Sequence, residues 1–286
     1  MNALQPAYKR QRFLLSFIRQ INENISATDL QKLVFLYTIN KDFAHYEFLP
    51  YKYGSYSFQL ADDVDVLRRD GFVTVDDTRV KAVGKYQQEV LYDIPTERGD
   101  NLIRKAYRAN PYYTVNSEII PRLFSKQDTE VFLSERQKYN QSEQILFTIG
   151  YEGKSIEGFI NSLIHNGIRL LCDVRKNSLS RKFGFSKSKL EHIANIAGIK
   201  YVHLPDLGIE SDKRKPLDSP DDYRVLFEDY SKTLPSLNVH LDHISTLLQT
   251  NIRIALMCYE NDATMCHRHV IRDYIAKTHQ VRSVDL

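Results

Sequence analysis

Cysteine is scarce in this chain. Only Cys172, Cys258 and Cys266 occur among 286 residues. So small and odd a number excludes a disulfide framework and points to a reducing compartment. Long apolar runs are missing as well. No segment approaches the roughly 18 apolar residues of a membrane helix, and the N-terminal MNALQPAYKRQRF has no signal-peptide stretch after its charges. A soluble, cytoplasmic protein is expected. Charge of one sign is lacking too. Residues 1–144 carry 20 Lys/Arg against 19 Asp/Glu, and the remainder 19 against 17. Neither half is a basic module in bulk, so contact with a polyanion requires a local patch. There is no P-loop and no GxGxxG after any strand; GYEG is too short to count.

What is present suits two domains. Composition is ordinary for globular protein, 42% hydrophobic and 26% charged. In the first domain, taken as 1–140, Phe13, Leu14, Phe17, Ile18 and Ile21 recur at helical spacing. A second helix is expected near Thr28, with Ser26 and Asp29 as a capping box. FLPYKYGSYS reads as a turn with Gly54 free to take positive φ. Ser57 caps a third helix that stops at Gly71, and FVTV with TRVKAV forms a hairpin. This order is that of a winged helix. Two more helices are expected around Pro111-Tyr112-Tyr113, and 134–144 is a polar linker. The segments DLQKLVFLYTI, YKYGSYS and LRRDGFV resemble the phage-associated Panacea or SocA-like domains, which implies prokaryotic defence or mobile elements. Lys52, Tyr53 and Tyr56 make a basic-aromatic turn that suits nucleic-acid contact or a packing corner. The third helix carries Asp62, Asp63 and Asp65, which would repel phosphates, so a protein partner or homodimer contact is an equal expectation here.

The second domain, 145–286, alternates apolar strands with helices: ILFTIG, IRLLCDVR, IKYVHLP, NIRIALMCYE and VRSVDL are the strands. The expected class is α/β, a Rossmann-like, mainly parallel sheet with helices on both faces. Ligands of such sheets bind at the strand carboxyl ends, and there the polar residues collect. Cys258 is a candidate nucleophile or a small apolar filler. Cys266 is expected to open a helix whose dipole favours a thiolate, or to pack. Cys172, inside a strand, is core. Glu260 is the candidate general base. Asp173 is an orienting group or the ion-pair partner of Arg175. Arg175, Arg181 and Arg268 suit an anionic substrate, with Tyr151, Glu152, His203 and His267 completing the binding set. Lys213, Arg214 and Lys215 lie in a loop that is either a lid or merely solvated. No metal is expected: CxxC and HxxxH spacings are absent, and adjacent Cys266 and His267 are ill placed to turn to one ion. The cofactor is undetermined.

The segments TIGYEG, DVRKNSLSRKFGFS, YVHLPDLG and LMCYENDATMCHR resemble, in order, the pattern of the uncharacterised domain family 488 (DUF 488) over about 146–286. The resemblance implies a Rossmann-like fold and a site around Asp173, Arg175, Arg181, Cys258, Glu260, His267 and Arg268, with no known reaction. Many relatives carry histidine in the first loop, where this chain has Tyr151-Glu152. The leading expectation is an enzyme or enzyme-like domain directed at a nucleotide or nucleic acid. The alternatives are a non-catalytic DNA- or protein-binding regulator that senses a small anion, and an interaction scaffold.

Overall fold

The computed structural model describes residues 5–39, 41, 45–84, 90–214, 217 and 219–286. The chain forms two compact units, Met1–Gln137 and Lys138–Leu286.

The first unit is helix-rich with small antiparallel sheets. Helix α1 (Lys9–Ile21) buries Phe13, Leu14, Phe17 and Ile18, the stripe set by its periodicity. Strand β1 (Ile25–Ser26) leads into α2 (Ala27–Thr38), where Ser26 Oγ accepts the Asp29 N–H. The capping box expected there is only half made, because Asp29 Oδ1 accepts the Gly99 N–H at the start of α4 (Gly99–Ala109). FLPYKYGSYS is a hairpin, not a simple turn: β2 (Leu49–Tyr51) pairs with β3 (Gly54–Tyr56). Gly54 takes φ +87, and a Cβ there would sit 2.3 Å from the Tyr107 ring. Helix α3 (Phe58–Arg69) is capped by Ser57. Strands β4 (Val73–Asp76) and β5 (Arg79–Ala82) complete a three-stranded sheet in the order β1-β5-β4. After α4 come α5 (Ile120–Leu123) and α6 (Lys126–Gln137), so the region holds one helix more than expected, and the expected linker begins as helix.

Asp63 does not face solvent. It is buried, with Arg10, Gln11 and Tyr46 all donating to its carboxylate. Lys52 lies over the Tyr51 and Tyr53 rings, and Tyr56 packs on Tyr51 and Phe58.

The second unit is an α/β layer structure. Five parallel strands run in the order β10-β6-β9-β7-β8: β6 (Ile145–Gly150), β7 (Leu170–Asp173), β8 (Lys200–His203), β9 (Arg253–Cys258) and β10 (Arg282–Asp285). Every residue of β6, β7 and β9 is buried, which is why their sequences read as unbroken apolar runs. Helices α9 (Pro220–Thr233), α10 (Asn238–Asn251) and α11 (Arg268–His279) share one core cluster with Leu146, Leu170, Cys172, Leu256 and Cys258. With the right-handed crossovers that parallel strands adopt, the strand order puts α7 (Ile156–His165) and α8 (Lys187–Ile196) on the other face. Strand β9 therefore lies between two strands whose following helices leave to the opposite side, a topological switch point on each flank. Among the described residues no helix is long and apolar enough to cross a membrane.

Lys32, on α2, is wholly buried and donates to the Ser55 carbonyl oxygen at 2.5 Å. Burial lowers its pKa to about 7, against a weaker pull upward from Asp29. An unfolded chain holds the amine near 10.5, so it binds more protons than the folded chain between those values, and stability rises with pH across that window. Lys32→Met is expected to remove this rise. The thermal midpoint of the variant should exceed the parent's most near neutrality, and the gap should narrow toward about pH 10. A constant gap would show that Lys32 is charged when folded.

Candidate functional site

The site starts from Gly150, the last residue of β6, which is paired with Cys258 on β9. A Cβ on Gly150 would lie 1.8 Å from the Glu260 carbonyl oxygen, so only glycine lets the chain leaving β9 cross here. Arg268, fully buried at the start of α11, holds that crossing. It donates to the Glu260 carbonyl at 2.5 Å, to the Asn261 carbonyl at 3.0 Å and to Thr148 Oγ1 at 3.2 Å. Thr148 in turn donates to Asp285 on β10 at 2.7 Å. Glu152 accepts the Asn261 N–H at 3.0 Å.

Asp173 and Arg175, at the end of β7, form a buried bidentate pair at 2.8 and 2.6 Å. Tyr201 donates to the same carboxylate at 2.7 Å, and Arg175 also donates to Tyr151 Oη and the Phe185 carbonyl oxygen. Burial opposes the guanidinium's charge, but Asp173 more than offsets this and raises its pKa. Burial and Asp173 both raise the Tyr201 phenol. His203 Nε2 donates to the Arg175 carbonyl oxygen at 2.9 Å. Most of the donors of Arg175 and Arg268 are thus engaged inside the framework. Arg181 is exposed. Lys215 lies outside the described residues.

Two lysines not singled out in the sequence stand beside the end of β6 instead. Lys154 Nζ donates to the Gly150 carbonyl at 3.1 Å and to Asn261 Oδ1 at 2.7 Å, and Lys182 Nζ to the Tyr151 carbonyl at 2.7 Å. Both pKa values are lowered: Lys154 by burial and then by Arg268, Lys182 by burial and then by Lys154. Neither forms an ion pair within 4 Å among the described residues. Beside them Tyr151 stacks on Phe185 at 4.4 Å, and Tyr259, 46% exposed, meets Tyr151 edge-on. Spacing alone gives no signal for these lysines. Thr148 and Tyr201 did leave one: a lone hydroxyl in the apolar ILFTIG, and a position two residues before His203, on the same side of its strand.

At the end of β9, Cys258, Cys266 and His267 converge. Both sulfurs face His267 Nδ1, at 3.8 and 3.9 Å, and all three atoms lie within 4.8 Å of one another. The expectation that adjacent Cys266 and His267 diverge is thereby corrected. Cys266 is extended (φ −139, ψ 134) while His267 is helical (φ −55, ψ −19), which breaks the alternation of an extended chain. Helix α11 opens at Arg268 with His267 as its N-cap, so Cys266 precedes the helix. His267 Nε2 lies 3.0 Å from the Val174 carbonyl oxygen. A carbonyl only accepts, so Nε2 carries a proton, and Nδ1 is the ring nitrogen that faces the sulfurs. The two thiols differ. Burial pushes Cys266 up, but Cys258, His267 and Arg268 together hold it well below the usual range. Cys258 is driven well above it by its hydrogen bond to Cys266 and by burial. Cys172 is pushed up to about 12 by burial, as a core thiol. Glu260 acts on Cys258 through its charge, which favours the thiol form.

A separate groove of about 580 Å3 lies between α9 and α11, lined by Tyr223, Phe227, Met265, His269 and Tyr274. It contains neither the thiols nor the two lysines.

Residues 155–275 match the family described as "Domain of unknown function DUF488". The match starts after β6, so it includes Asp173, Arg175, Arg181, His203, Cys258, Glu260 and the Cys266-His267-Arg268 run but not Gly150, Tyr151 or Glu152. No curated protein and no solved structure matches the chain.

Asp173→Asn would leave the Arg175 guanidinium buried without its counter-ion. Breaking such a pair costs about 3–5 kcal/mol. The variant should show a correspondingly lower urea midpoint for the second unit, and an unchanged midpoint would show that the pair does not hold the strand ends together.

Proposed function

We propose that the second unit is an enzyme-like domain that holds a nucleotide, or an end of a nucleic acid, at the carboxyl ends of β6, β9 and β7, and presents it to the Cys258–Cys266–His267 cluster. The observation that carries this reading is the pair Lys154 and Lys182. The two ammonium groups gather on the chain that follows β6, where burial and then Lys154 lower Lys182, and among the described residues neither makes an ion pair. A phosphate would relieve that repulsion, and each charge-assisted hydrogen bond it accepts is worth about 1.5–3 kcal/mol. Exposed Arg181 is the chain neighbour of Lys182, and the exposed ring of Tyr259 offers a surface on which a base can stack. Arg175 and Arg268, the arginines that their sequence positions suggest as anion ligands, position the loops instead.

The burial of the cluster, with Cys258 and Cys266 each 1% exposed and His267 2%, favours a second reading: a regulator that senses a small anion without turning it over. In either reading the first unit would bring a nucleic acid or protein partner. Support for a winged-helix-like module there is the element order α1, α2, α3 followed by the β4–β5 hairpin.

The test is an equilibrium titration of the full chain against labelled single-stranded DNA, duplex DNA, RNA and a nucleoside triphosphate at several salt concentrations. Affinity for at least one should fall steeply with salt, and Lys154→Ala with Lys182→Ala should lower it about tenfold or more. Salt-insensitive binding, or a double variant that binds like the parent, would remove the phosphate reading. Cys258→Ser separates the two readings: an enzyme loses turnover at unchanged affinity, whereas a sensor has no turnover to lose.

A further inference from the structure

We propose that Cys258, Cys266 and His267 form a three-ligand site for a thiophilic divalent cation, zinc foremost, at the carboxyl end of β9. The proposal rests on the cluster alone and stands whether or not the strand-end ligand is a nucleotide.

The distances carry it. With Zn–S of about 2.3 Å and Zn–N of about 2.0–2.1 Å at tetrahedral angles, bound sulfur and nitrogen stand about 3.6 Å apart and two sulfurs about 3.8 Å apart. Here the sulfur–nitrogen separations are 3.8 and 3.9 Å, with all three atoms within 4.8 Å. Contraction by a few tenths of an ångström for the nitrogen, and by no more than about an ångström between the sulfurs, closes the set around one ion. Among the described residues this is the one such group of three.

The surroundings suit a ligand histidine. The Val174 carbonyl oxygen fixes the Nε2–H tautomer and aims Nδ1 at the sulfurs, the outer contact that metal-bound histidines use. The Tyr230 ring meets the imidazole edge-on at 5.7 Å and restrains its tilt. The ligands come from two anchored places, the end of the central strand β9 and the N-cap of α11, and Arg268 ties the intervening loop to β6. Both cysteines bind as thiolates, any thiol proton passing to solvent, so a divalent ion with its two thiolates forms a set of zero net charge. Three protein ligands leave a fourth position for water or a substrate donor, the pattern of zinc sites that perform chemistry.

The experiment uses the full chain, stripped of metal and kept reduced under anaerobic conditions, titrated with Co2+. One equivalent should produce thiolate-to-cobalt charge-transfer absorption and a tetrahedral ligand-field spectrum, and Zn2+ should bleach both. Cys258→Ser, Cys266→Ser and His267→Ala should each weaken Zn2+ binding by at least about tenfold, while Cys172→Ser should not. Because the parent chain supplies the spectrum, a variant that fails to fold leaves the test intact. Cobalt that binds without charge-transfer absorption would overturn the proposal. So would a Cys258–Cys266 disulfide found in protein whose thiols were blocked at lysis, which would assign the pair to redox chemistry.

Discussion

A guanidinium buried under a parallel sheet's carboxyl edge needs acceptors for its hydrogens, and Arg268 finds them in the loop that leaves the central strand. Its contacts to the Glu260 and Asn261 carbonyls and to Thr148 turn one side chain into the fastening of that loop. Gly150 makes the fastening geometrically possible, since any side chain there would strike the Glu260 carbonyl. Once the loop lies across β6, its far end is directed back to β9, and Cys266 and His267 arrive opposite Cys258. Thr148 extends the same network to Asp285, so β10, β6, α11 and the loop after β9 share one set of polar contacts. Such groups are costly when unpaired, and mutual satisfaction fixes the site's shape.

Arg175 fastens the neighbouring strand end, that of β7, in the same way. Between them the two arginines illustrate why that residue is chosen for framework: the planar fork reaches several fixed acceptors at once and keeps its charge in a buried place. Lysine offers a single mobile charge whose pKa responds to its neighbours. The division at this sheet edge follows that chemistry, with guanidiniums inside holding carbonyls and ammonium groups outside, where a ligand charge would meet them.

The α/β class was legible because β6, β7 and β9 are buried on both faces and must be apolar throughout. Their order was not, since the pattern of a buried strand carries no mark of its neighbours. The caps at Ser26 and Ser57 are encoded locally and formed. Ser186 took the extended N-cap backbone, yet its hydroxyl makes no capping bond. The β2–β3 hairpin is hidden in the sequence because three-residue strands containing Pro50 and Gly54 look like turn. Asp63 misleads for a different reason: its partners Arg10, Gln11 and Tyr46 lie on other elements, and a local charge count cannot see them. The arginines do stand at the strand ends where the sequence puts them, but whether a guanidinium faces a ligand or its own backbone depends on tertiary contacts.

The thiol cluster is the sharpest case, because adjacent side chains are expected to point apart. That holds within an extended chain and fails where a helix begins. The change from extended Cys266 to helical His267 swings two consecutive side chains toward the same point. Spacing rules for metal ligands summarise recurring loops, and a junction of this kind lies outside them. The burial that conceals the cluster also limits what can reach it. A polymer cannot enter a site whose three residues are at most 2% exposed, whereas a single ion matches the spacing of its three ligand atoms. In the readings proposed above, a large or charged ligand would therefore meet Lys154, Lys182 and Tyr259, whereas an ion would be held by the sulfurs and the imidazole.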